Sequence, residues 1–163
     1  MRTRRRILDD VEVTLAFYGS IVYLAVVSSL GSQSDPPSAV TAISAVGATA
    51  TVLYIAHAFA ALVPKLARAG RFRAADLRRA LTHDVPLLLY ALVPIAPLAL
   101  AATDVVALDT GYRLSVRLTI ALLLWLAVSL SRRDGLSWPR SVVAGVVIIG
   151  IAVAVIWLES QLH

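Results

Sequence analysis

His57 is the histidine that lies within an apolar stretch, in the run Tyr54-Ile55-Ala56-His57-Ala58-Phe59. An imidazole titrates near neutrality, so inside a membrane it can relay a proton or ligate a cation. A neutral ring at the same place serves as a hydrogen-bonding contact between helices. Tyr54 precedes it by three residues and shares its helical face. Tyr18 and Tyr90 fall at comparable depth in their own apolar runs, so His57, Tyr54, Tyr18 and Tyr90 form a polar–aromatic set if the helices that carry them face one another. Ser44, Gly47, Thr51 and Tyr54 add an i, i+3, i+4 stripe of small or polar side chains. That stripe either packs against a second helix or lines a water path.

A second group sits elsewhere. Arg113 and Arg117 are four residues apart and therefore on one helical face, and Asp104, Asp109 and Glu159 fall at the same level. This outer charged layer reads as snorkelling arginines with ion pairs. The functional alternative is a vestibule that attracts anions, with Arg117 as its deepest charge.

Other chemistries lack their residues. The chain has no phosphate-binding glycine loop, no His-Glu-x-x-His, no Gly-x-Ser-x-Gly and no Gly-x-Gly-x-x-Gly, so the standard catalytic constellations are missing. With no cysteine there are no disulfides, thiolate metal sites or thiol redox chemistry. A haem would need a second axial ligand, and His83 lies at the edge of an apolar run while His163 falls beyond the last one. The expectation is a non-enzyme with no catalytic residue, metal or cofactor.

The elements that must position these side chains follow from composition. Of 163 residues, 59% are hydrophobic and 15% charged, with a mean hydropathy of +0.81. A soluble domain carries about 25% charged residues, and one of this length cannot bury such an apolar excess. The chain therefore reads as one integral membrane domain over residues 1–163, an all-α bundle.

Five apolar runs are separated by polar segments, giving spans at approximately 13–31, 39–64, 85–104, 112–131 and 140–158. The basic opening followed by a long apolar run resembles a signal peptide, but the run exceeds the 7–15 residues of such a segment, so it reads as a first helix. Asp35-Pro36-Pro37-Ser38 signals entry to the second, with Ser38 as N-cap. In the third, Pro86 suits a first turn, whereas Pro94 and Pro97 should kink the helix. The fourth is the least clean, and four spans is the fallback if it lies in the interface. Residues 65–84 read as a basic loop holding a short amphipathic helix, with Leu77 and Leu81 one turn apart and Ala74 three residues earlier.

Basic residues fix the expected orientation. Four precede the first span, six lie in 65–84, and Arg132, Arg133 and Arg140 separate the last two spans, which leaves only Arg113 and Arg117 of the 15. An N-in, C-out chain places all but those two in the cytoplasm. The same asymmetry excludes a dual-topology antiparallel dimer, so self-association would be parallel. Small-residue pairs (Ser44/Ala48, Gly47/Thr51, Ser141/Gly145 and Gly150/Ala154) permit close helix approach. Arg outnumbers Lys fourteen to one, and with abundant Ala, Val and Leu this has the flavour of a GC-rich bacterial genome.

The sequence thus implies a multi-pass protein of a bacterial inner membrane, with the bilayer, anionic lipids at 65–84, and further copies or a larger membrane complex as partners, and no nucleic acid. The functional expectation is a small transporter or channel subunit with a polar path near span two. The alternative is a non-catalytic accessory or scaffold subunit of a larger membrane complex.

Overall fold

The computed structural model describes residues 2–69, 74–133, 137–143, 145–147, 150 and 154, and every regular element among them is an α-helix. The first, α1 (Arg2–Gly31), ends where glycine and the polar turn Ser32–Pro37 begin. Ser38 then caps α2 (Ala39–Ala69): its Oγ accepts the Thr41 N–H at 3.2 Å, satisfying a donor that the helix itself leaves orphaned. α2 runs five residues past the expected end at 64, with Pro64 inside it. That proline removes only one hydrogen bond, and the Lys, Leu, Ala and Arg that follow are good helix formers.

α3 (Ala74–His83) and α4 (Val85–Ala102) meet at Asp84. Pro86 sits in the first turn of α4, where a missing N–H costs nothing. Pro94 and Pro97 lie buried inside that helix. Beyond it, Asp104 takes a left-handed φ of 57°, and the Val105 N–H returns to the Leu100 carbonyl at 3.0 Å, closing the turn. Aspartate tolerates this region better than most residues. α5 (Leu108–Arg133) begins four residues earlier than the sequence suggests, which lengthens the least clean run.

Among the described residues, three stretches are long and apolar enough to cross a membrane: Ala39–Pro64, Ala74–Ala102 and Leu108–Arg132, whose apolar 18-residue windows have mean hydropathies of 1.8, 2.1 and 1.9. In the second, α4 supplies the apolar part. Leu15–Gly31 is a shorter apolar helix. Residues 138–143 and 145–147 are helical, and most of the expected fifth span lies outside the described residues.

α1 and α4 form the centre of the bundle. Each packs against the other and against both α2 and α5, which lie on opposite sides of the pair. Their shared core holds Tyr23 and Val27 of α1, Ala42, Val46 and Ala50 of α2, Ala91 and Leu98 of α4, and Tyr112 of α5. α3 stands apart and packs mainly on α2, through Ala80 with Leu77 and Leu81 against Ala58 and Leu62. Of the small-residue pairs, Ser141/Gly145 is buried, and a Cβ at Gly145 would lie 3.1 Å from Leu124 and 3.4 Å from Ala127 of α5. Gly47 and Gly150 have no such neighbour within 4 Å.

Candidate functional site

Helix α2 carries Ser44, Thr51, Tyr54 and His57, and its faces decide what they can do together. Ala42, Val46 and Ala50 are buried against the bundle. His57 follows Ala50 by seven residues, two helical turns, and so lies on this inner face; it is half-buried there. Ser44 and Thr51, also seven apart, lie on the opposite face and are exposed. Their hydroxyls donate to carbonyls of their own helix, Ser44 to Val40 at 2.9 Å and Thr51 to Gly47 at 2.8 Å. The stripe and His57 therefore belong to different sides of α2.

The outward face is covered at only one end. Ala58 and Leu62, seven and eleven residues beyond Thr51, continue it towards the basic segment, and both are buried under α3. Ser44, Ala48, Thr51 and Ile55, which precede them along the same face, have no such cover. Tyr54 stands at the border and anchors α3, with its Oη donating to the Leu81 carbonyl at 2.9 Å.

The other two tyrosines go separate ways. Tyr90 is half-buried and packs against the main core from α4, while Tyr18 on α1 is 53% exposed. The structure thus gathers Tyr90 to the core and His57 to the inner face of α2, but turns Tyr18, Ser44 and Thr51 outward. In the outer layer, Arg113 forms a two-point ion pair with Asp109, Nη2 to Oδ2 at 3.0 Å and Nε to Oδ1 at 3.1 Å. Both partners are exposed, and Asp104 and Arg117 stay outside the pair. Glu159 lies outside the described residues. Among the described residues, no three His, Asp or Glu side chains gather where they could hold a metal ion.

Several polar groups that the residue spacing does not single out are the ones that join helices. Tyr23 Oη of α1 donates to the Leu87 carbonyl of α4 at 2.8 Å. Tyr112 Oη of α5 donates to the Pro37 carbonyl in the α1–α2 turn at 2.9 Å, and Ser115 Oγ to the Pro94 carbonyl of α4 at 2.7 Å. Asp84, at the α3–α4 junction, is 2% exposed. The available signal was the phenol itself: a tyrosine hydroxyl buried in an apolar span is costly to leave without an acceptor.

No family model matches the chain, and no curated protein or solved structure matches it either. The reading of its function therefore stands on the geometry of α2 and on the charge pattern.

Proposed function

We propose that the chain is a five-span, N-in, C-out protein of the bacterial inner membrane that serves as a non-catalytic scaffold or accessory subunit of a larger membrane assembly. One observation carries this reading. Ser44, Ala48 and Thr51 of the small and polar face of α2 are turned away from its own bundle and exposed, with open space at Gly47. Small side chains on an outward face let another helix approach closely, and a stripe on the outside gives a single chain no path of its own. The excess of basic residues on one side supports the orientation.

The test uses the lack of cysteine. Oxidation of Thr51→Cys in native membranes should trap a covalent species between copies, whereas Ala42→Cys, on the buried face, should not. Gly47→Leu fills the open space and should abolish that species while leaving the monomer folded. Equal behaviour of the Thr51 and Ala42 variants would refute assembly through this face.

His57 favours a second reading, a transporter or channel subunit, because its inner-face position brings an ionisable ring beside the bundle. In that case reconstituted protein shows a pH-dependent flux that His57→Gln removes, since glutamine keeps hydrogen bonding but does not titrate. Flux that is the same in both proteins across the pH range discards this second reading.

A further inference from the structure

We propose that the outward face of α3, centred on Arg78, is a docking surface for the headgroup of an anionic phospholipid in the cytoplasmic leaflet. This rests on the orientation proposed above, which puts residues 65–84 on the cytoplasmic side.

The first support is that α3 has its apolar side already occupied. Leu77, Ala80 and Leu81 pack on Ala58 and Leu62 of α2, and the Tyr54 hydroxyl holds the Leu81 carbonyl. The helix is therefore fixed to the bundle by protein contacts, and its other side faces away from α2. That side forms an open groove of about 520 Å³ lined by Ala74, Ala75, Arg78 and Thr82. Among the described residues of that lining Arg78 is the cationic one, and it is exposed.

Depth supplies the second support. About 20 helical residues cross a hydrocarbon core of about 30 Å. Counted from Ala39, the inner boundary falls near Phe59, so Ala58 and Leu62 straddle it. α3, seated on those two residues, lies at headgroup level, where lipid phosphates are found. Charge is the third. Residues 65–84 hold six basic residues against Asp76 and Asp84, and Asp84 is buried. A basic segment at this depth attracts anionic lipid over zwitterionic lipid, and the arginine fork suits a phosphate.

The experiment uses the full chain in phosphatidylcholine bilayers containing a minor share of phosphatidylglycerol, and measures the relative affinity of protein-bound lipid for the two headgroups. The parent should prefer phosphatidylglycerol, and Arg78→Ala should lower that preference about fivefold, the effect of one basic residue near the surface. Arg78→Lys should retain most of it, added sodium chloride should weaken it, and Arg113→Ala, a change in the outer layer, should leave it unaltered. An unchanged preference in Arg78→Ala overturns the proposal. So does inorganic phosphate that displaces more lipid than sodium chloride at equal ionic strength, because the groove would then serve a soluble phosphate. The orientation is read separately from Ala67→Cys. Labelling of intact cells by an impermeant maleimide at that position overturns the reading beneath the proposal, whatever the lipid preference. Protection until the inner face is opened supports that reading.

Discussion

Tyr23→Phe tests the polar joint at the centre of the bundle. The ring is fully buried on α1 beside Gly19, and its hydroxyl reaches across to Leu87 in the early part of α4. Phenylalanine fills the same ring volume, so the change removes one interhelical hydrogen bond and almost no packing. The Leu87 carbonyl keeps the helix's own i+4 donor, so no acceptor is orphaned. Interhelical hydrogen bonds in membranes average about 0.6 kcal/mol and reach about 1.7 kcal/mol. Full burial and a 2.8 Å contact put this one above that average, at about 1 kcal/mol or roughly fivefold in the unfolding constant. Tyr23→Ala also opens a ring-sized cavity. It should cost about 3 kcal/mol, the low end for aromatic-to-alanine changes, because the unfolded chain exposes the lost surface to lipid and not to water. Titration of folded protein in mixed micelles with dodecyl sulfate, followed by tryptophan fluorescence, gives both values. Tyr18→Phe is the reference, since that ring is more than half exposed. If Tyr23→Phe costs no more than Tyr18→Phe, the hydroxyl does not hold α1 to α4 and the argument from buried phenols fails.

Gly145→Leu should destabilise the fold, because its side chain would enter the space held by Leu124 and Ala127; overpacking costs about 1–3 kcal/mol in the same titration. For orientation, cysteines placed at Gln33 and Val105, both in exposed turns, should react with an impermeant maleimide from outside intact cells, and their protection would reverse the N-in topology. Asp109→Asn breaks the Arg113 ion pair, but with both side chains exposed the loss should stay within about 0.3–0.5 kcal/mol and vanish in high salt. A larger, salt-independent loss would point to a desolvated role for that pair.

Among the described residues, the helices were legible where apolar runs meet clear polar breaks, down to the cap at Ser38 and the tight contact at Ser141/Gly145. Their faces were not. α2 is apolar or small nearly all the way round, so hydropathy has no contrast with which to say that Val46 and Ala50 turn inward and Thr51 outward. Helix ends were also shifted: beyond Pro64 good helix formers continue α2 where hydropathy has already fallen, and α5 starts at Leu108 with Asp109 in its first turn, where the helix dipole favours a carboxylate. The polar residues mislead or inform according to reach. Ser44 and Thr51 bond to carbonyls one turn back in α2, which satisfies them wherever they point, so their spacing carries no information about the interior. A tyrosine hydroxyl stands too far from its own backbone to do this. Tyr23, Tyr54 and Tyr112 each reach a carbonyl of a different element, and Tyr18, near the cytoplasmic end of its run, is exposed. Any carbonyl can accept, so no partner residue is written in the sequence, but the need for one is. In a bundle this apolar, the phenols of Tyr23, Tyr54 and Tyr112 mark joints between elements that the hydroxyl stripe does not.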